Sequence, residues 1–136
     1  MSEAFQRHGA FSWCELMTTD VDAAKRFYTA LLGWTTEEVS MAGMMAGMMA
    51  GMTYTVVKAG GTEIGGIMPM PPQAAGALPH WGSYVTVQDV DATARHAEAL
   101  GAKICVPPTD IPNVGRFCTF QDPQGAVISA ITYRMT

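Results

Sequence analysis

Apolar and polar positions alternate along residues 11–18, FSWCELMT. Phe11, Trp13, Glu15 and Met17 fall on one side, and Ser12, Cys14, Leu16 and Thr18 on the other. Period two predicts a strand with both faces partly covered. The period then changes. Thr19-Asp20 offers a helix N-cap, after which Val21, Ala24, Phe27, Tyr28 and Leu31 or Leu32 recur at helical spacing as a packing stripe. Asp22 places favourable charge in the first turn, and Gly33 supplies a left-handed C-cap. Residues 34–40 read as a second strand, 53–59 (TYTVVKA) as a third and 62–68 (TEIGGIM) as a fourth. Gly60-Gly61 forms the hairpin turn between the last two. Gly65-Gly66 within a strand marks a bulge or a close approach of a ligand or another backbone.

The same order returns downstream. Residues 81–87 read as a strand, and Asp89 caps a helix that runs to Leu100 and closes at Gly101. Residues 102–106 form a strand that Pro107-Pro108 is expected to stop, and 115–121 (GRFCTFQ) another. Asp122-Pro123-Gln124-Gly125 fits a type I turn, and 126–133 the last strand. Asp-Val-Asp-Ala at 20–23 recurs at 89–92, and Leu32-Gly33 answers to Leu100-Gly101. The expected fold class is therefore α+β: two tandem βαβββ modules, 11–68 and 81–133, whose sheets form a cleft. A proline-rich linker, 69–80, joins them within a single domain, 1–136. Function is expected between the copies.

Residues 41–52, MAGMMAGMMAGM, fit neither period. They repeat every four residues, which on a helix would align Gly43, Gly47 and Gly51. Each glycine costs a helix about 1 kcal/mol against alanine. The stretch is left as a low-complexity loop, a polarizable lid over a greasy ligand, or a surface for self-association.

Composition narrows the class. Hydrophobic residues are 49% and charged residues 15% of 136, and the formal net charge is −4. Without a basic run, a nucleic-acid partner is not expected. No apolar run reaches the ~18 residues of a membrane helix, and the first ten residues lack the apolar core of a signal peptide. Cys14, Cys105 and Cys118 sit singly in strand-like stretches, as expected of reduced thiols in a cytoplasmic protein. His8 lies in the lead-in and His96 on a polar helix face; only His80 falls near a strand mouth.

The motifs taken together are Asp20, Phe27-Tyr28, Leu32-Gly33-Trp34, Gly65-Gly66, Asp89-Val90-Asp91, Leu100-Gly101 and Asp122-Pro123-Gln124-Gly125. In this order and duplicated, they resemble the vicinal oxygen chelate superfamily. That family includes glyoxalase I, bleomycin-resistance proteins, extradiol dioxygenases and methylmalonyl-CoA epimerase. The resemblance implies the fold and, by family habit, a homodimer. It does not imply one reaction, because the superfamily hosts many. Its metal-using members draw ligands from the first and last strand of each copy. Those positions fall here on Trp13, on Gly82 beside Trp81, near Gly66 and on Ser129. Tryptophan accepts no hydrogen bond, glycine has no side chain, and none of the four is His, Asp or Glu. The resemblance thus implies a metal-ligand-lacking member with no cofactor.

With that register, Trp13, Glu15 and Met17 face inward from one copy and Gly82, Tyr84 and Thr86 from the other. Val127, Ser129 and Ile131 follow, as do Ile64, Gly66 and Met68. Ligand contacts are assigned to Trp13, Met17, Tyr54, Gly66, Met68, Trp81, Tyr84 and Ser129. The expected ligand is a small apolar or aromatic molecule. Glu15 stands out, because a carboxylate on a half-buried sheet face needs a partner or a function. It is either a general base, with burial raising its pKa, or a structural carboxylate bonded to Tyr84, Tyr54 or a backbone amide. A metal-independent isomerase or lyase using Glu15 is the alternative to a binding protein. It would need an oxyanion donor that the sequence does not identify. A non-catalytic subunit assembling through 41–52 is a second alternative.

Overall fold

A computed structural model describes residues 3–40, 53–70, 78–111 and 114–134. The methionine-rich stretch 41–52 and most of the linker, 71–77, lie outside the described residues, and with them the three readings of 41–52. The fold is α+β. The elements run β1 (Phe11–Thr18), α1 (Val21–Leu32), β2 (Thr35–Ser40), β3 (Thr53–Ala59) and β4 (Thr62–Pro69). They repeat as β5 (His80–Thr86), α2 (Val90–Ala99), β6 (Lys103–Ile111), β7 (Gly115–Gln121) and β8 (Val127–Tyr133), preceded by a short 3-10 turn, Glu3–Phe5. The order βαβββ thus occurs twice. The chain divides into two compact units, Trp13–Trp81 and Met1–Ser12 with Gly82–Thr136.

In the Trp13–Trp81 unit the strands lie in the order β2-β3-β4-β1. Strand β3 is antiparallel to both neighbours, and β4 runs parallel to β1, with Glu15 opposite Gly66. Helix α1 starts where Asp20 accepts a 3.0 Å bond from the Ala23 amide and stops at Gly33, whose φ of 72° a residue with a Cβ adopts at a penalty. Leu16, Val57 and Ile67 are buried under this helix, packed by Val21, Ala24, Tyr28 and Trp34. The predicted stripe is narrower than expected. Phe27 and Leu31 are 58% and 62% exposed, because the contact row follows Val21, Ala24 and Tyr28.

The second unit repeats this plan as β5-β8-β7-β6. Strand β5 is parallel to β8, with Tyr84 opposite Ser129, and β7 is antiparallel to β8 and β6. Asp89 caps α2 through a 3.1 Å bond from the Ala92 amide. Val87, Val90, Ala94, Cys118 and Ala130 form its core. Asp122 organises the β7–β8 turn, accepting from the amides of Gln124 and Ala126 at 3.0 and 2.9 Å. The N-terminal residues pair with this unit: Thr86 donates its hydroxyl to the Ala4 carbonyl at 2.6 Å, and Phe5 packs on Tyr133.

One element departs from expectation. Strand β6 runs through Pro107-Pro108 instead of ending before them. Among the described residues it lies at the end of its row, where a missing N–H breaks no described ladder on the outer side. The register toward β7 also jumps from Val106↔Thr119 to Thr109↔Phe117, an irregularity that takes up both prolines.

Candidate functional site

The sheet face of the Trp13–Trp81 unit that lies away from α1 carries a buried polar chain. Trp13 and Glu15 arrive on it through the alternation of β1, and Tyr54 through β3. The Trp13 Nε1–H donates to the Tyr54 hydroxyl at 2.9 Å, and that hydroxyl donates to Glu15 Oε2 at 2.8 Å. Glu15 and Tyr54 are 8% and 7% exposed. Tyr54 and Met68 pack with Val56, and Trp13, Met17 and Val39 close around them. A carboxylate in such surroundings is tolerable because strong donors satisfy it; among the described residues no buried side-chain polar atom lacks a partner.

Gly66 makes the chain possible. Tyr54 on β3 must cross β4 to reach Glu15 on β1, over a strand spacing of roughly 4.8 Å at each step. Gly66 sits on β4 directly between, paired with Glu15 on one side and Val56 on the other. A Cβ at Gly66 would overlap the phenol ring and hydroxyl of Tyr54. The adjacent Gly65 has a different reason: its Cβ would overlap the Cys14 carbonyl. The two glycines thus permit close approach in opposite directions.

The structure brings together Trp13, Glu15, Met17, Tyr54, Gly66 and Met68 from the residues expected to form a site. It does not bring Trp81 to them. That ring packs with Tyr28 and Trp34 at centroid distances of 5.3 and 5.9 Å, and its Nε1–H donates to the Tyr28 hydroxyl at 3.2 Å. Ile64 also changes place. A register shift between Val57 and Lys58 takes it out of strict alternation. It lines an apolar cavity of about 360 Å³ with Cys14, Trp34, Val57, Gly65 and Trp81. Sequence reasoning missed this cavity. Its signal was the other face of β1, on which Cys14 lies, and the tryptophan after Leu32-Gly33.

Tyr84 and Ser129 belong to the other unit. Tyr84 lies 6.3 Å from Phe117 between ring centroids, and Ser129 shares a 2.7 Å hydrogen bond with the Thr119 hydroxyl. Arg116 is committed to Asp91 through two bonds, 2.9 and 3.0 Å, and to Asp110 at 3.1 Å. Those hydrogen bonds hold the Asp91 carboxyl below its ordinary range and push the guanidinium higher still. Burial pushes the Cys118 thiol up, which keeps it protonated. His8 accepts from the Gln88 amide at 3.0 Å, and His80 lies 2.8 Å from the Leu78 carbonyl.

None of the four positions to which the resemblance carries metal ligands, Trp13, Gly66, Gly82 and Ser129, bears a His, Asp or Glu side chain. Trp13 offers only the N–H already given to Tyr54, Gly66 and Gly82 offer no side chain, and the Ser129 hydroxyl is paired with Thr119. Among the described residues no cluster of three His, Cys, Asp or Glu side chains is placed to hold one. Among them also, no helix is long and apolar enough to cross a membrane.

Duplicated βαβββ units with this buried face define a recognisable class. The Glyoxalase/Bleomycin resistance protein/Dioxygenase superfamily matches residues 10–129, and the chain belongs to it. It is similar to the Mycobacterium tuberculosis (strain CDC 1551 / Oshkosh) protein named "Putative glyoxylase CFP32", 43% identical over 125 residues, 90% of this chain and 44% of that protein. It is also similar to the anthracycline biosynthesis protein DnrV of Streptomyces peucetius, 32% identical over 133 residues, 89% of this chain and 46% of that protein. The chain therefore spans about half the length of these relatives. Among solved structures, methylmalonyl-CoA epimerase from M. tuberculosis shares the fold, with a TM-score of 0.59 at 17% identity over 90% of this chain and 86% of that one.

Proposed function

We propose that this chain is a metal-independent binding protein for a small apolar or aromatic molecule, taken up on the Trp13–Tyr54–Glu15 face. The observation that carries the reading is the polar chain itself: a satisfied carboxylate set in an apolar, aromatic surface, the usual makeup of a small-molecule site. Family membership supports it, since the family's binding members do no chemistry on what they hold. Assembly as a homodimer and a cytoplasmic location go with this reading. The free thiols Cys14, Cys105 and Cys118 accord with the latter, and the exposed Phe27, Leu31 and Leu32 of α1 with the former.

A second reading is favoured by the same buried carboxylate and by the glyoxylase name of a relative: an isomerase or lyase in which Glu15 abstracts a proton. It is the weaker reading. An enolate formed beside Glu15 needs a donor, and both the N–H of Trp13 and the O–H of Tyr54 are engaged within the chain.

Metal analysis of the purified protein, followed by titration with Zn²⁺, Ni²⁺, Fe²⁺ and Mn²⁺, tests the metal-independent reading. Near-stoichiometric tight metal overturns it. Turnover of an α-keto or thioester substrate that is lost in Glu15→Gln, with the thermal transition unchanged, moves the enzyme reading to the front.

A further inference from the structure

We infer that the cavity lined by Cys14, Trp34, Val57, Ile64, Gly65 and Trp81 is a binding site for a small, flat, uncharged aromatic molecule. It is separate from the Trp13–Tyr54–Glu15 face, and the inference does not depend on what that face takes up.

The cavity lies on the helix side of the Trp13–Trp81 unit. Cys14 is on the opposite face of β1 from Trp13, by strand alternation, and Val57 and Trp34 belong to the packing under α1. Its wall is a set of rings that hold one another. Tyr28 and Trp34 stack at 5.7 Å with 24° between their planes. Trp81 stands edge-on to both, at 5.3 and 5.9 Å, and its Nε1–H is given to the Tyr28 hydroxyl at 3.2 Å. The plane of Trp81 is thus set before any ligand arrives, which lowers the ordering cost of binding. The floor includes bare backbone at Gly65, where a Cβ would overlap the Cys14 carbonyl, so no side chain can be placed there. Trp81 and Ile64 remain 40% and 37% exposed, and an occupant would take their apolar surface out of water.

Size and lining together choose the occupant. A volume of about 360 Å³ falls within the roughly 300–1,000 Å³ of small-molecule sites and is too small for a docked helix or strand. None of the six lining residues is charged. A carboxylate or phosphate would lose hydration there and meet no opposite charge. Two indole rings favour a flat π system over a saturated one of the same skeleton, through offset or edge-to-face contact.

The cysteines supply a site-specific readout. Cys14 and Cys105 are both exposed free thiols, Cys14 in the cavity and Cys105 in the other unit. Both are alkylated with N-ethylmaleimide in one sample of the full chain, and their rates are followed by peptide mass spectrometry. Naphthalene is expected to slow Cys14 about tenfold or more near saturation and to leave Cys105 unchanged. Decahydronaphthalene should need several times the concentration for the same protection, and 2-naphthoate about tenfold more. Ile64→Trp puts a ring into the volume from its partly exposed rim and should abolish protection. Trp81→Ala removes part of the wall and should weaken it about tenfold. The thermal transition of each variant controls for folding. Cys14 rates indifferent to naphthalene overturn the inference, as does equal slowing of Cys105. Equal protection by 2-naphthoate or by decahydronaphthalene overturns the assigned ligand class. Protection that survives in both variants places the ligand elsewhere and overturns the site. A Cys14 rate that rises as the protein is diluted, with naphthalene absent, shows a second copy covering the cavity and overturns it too.

Discussion

The two units build the same row of positions on their sheets and fill it differently. In one, Glu15, Gly66 and Val56 lie side by side on β1, β4 and β3, and Tyr54 stands two residues before Val56. In the other, Tyr84, Ser129 and Thr119 lie side by side on β5, β8 and β7, and Phe117 stands two residues before Thr119. The middle residue makes the difference. Glycine lets Tyr54 lie across the strand and reach a carboxylate. Serine instead bonds to its neighbour Thr119, and Phe117 meets Tyr84 as a tilted ring pair at 6.3 Å. One topology thus gives an indole–phenol–carboxyl hydrogen-bonded chain in one unit and a hydroxyl pair beside two rings in the other. The strand pattern sets where a group sits; a single Cβ decides whether its neighbour can reach it.

Exchanging that residue is the strongest way to break the contrast. Gly66→Ser puts the second unit's residue into the first, where its Cβ overlaps Tyr54. The ring must leave Glu15, and the expected loss is about 3 kcal/mol in urea unfolding. A stability within error of the unaltered protein would show that Tyr54 has room to move. Tyr54→Phe makes the first unit resemble the second at Phe117 without a clash. It removes one bond to a buried carboxylate, for an expected loss of about 2 kcal/mol by the same measurement. The mirror experiment, Ser129→Ala, deletes only a neutral hydroxyl pair and should cost about 1 kcal/mol. If the last two variants proved equal, the charge on Glu15 would contribute nothing beyond an ordinary hydrogen bond.

The smallest effect concerns the surface ion pairs, where the units are alike. Arg116 holds the Asp91 carboxyl low in one, and Lys58 holds the Glu37 carboxyl low in the other, in each case chiefly through a hydrogen bond. A carboxyl whose folded pKa is depressed contributes stability above its unfolded pKa. That contribution fades as the pH falls through the lowered value. Asp91→Asn and Glu37→Gln should therefore be slightly less stable than the parent at neutral pH and indistinguishable from it in strong acid. Both pairs are partly exposed, so salt should narrow the gap at neutral pH.

What was legible in the chain was whatever local geometry enforces. The alternation over 11–18 put Trp13, Glu15 and Met17 on one face. Asp20 and Asp89 marked helix starts because their side chains there can accept a free amide of the first turn, and Gly60-Gly61 marked a turn that adopts positive φ at both residues. Tyr54 was one of three groups that chemistry allowed as a partner for Glu15, but the choice needed the β3–β4–β1 order. Gly66 was readable as a close-approach position, not as the clearance for a phenol ring. Ile64 left the expected face because strict alternation fails at the register shift facing Val57/Lys58, whereas Trp81 stands one residue before Gly82 and alternation itself puts it on the other side of β5. The passage of β6 through two prolines was illegible because it depends on having no neighbour on one side among the described residues, a property of the sheet and not of the segment.

That last feature bears on how the protein behaves in a crowded solution. A strand at the end of a sheet is a template for foreign strands, since its outward amides and carbonyls invite pairing. On β6 the two consecutive prolines have no amide hydrogen to offer, and the shifted register interrupts the regular spacing an incoming strand would need. At the end of the other row, β2 carries Glu37 and Glu38 in succession, one on each face of the strand. The two rows thus end in strands that are poor seeds for aggregation, one through missing donors and the other through charge.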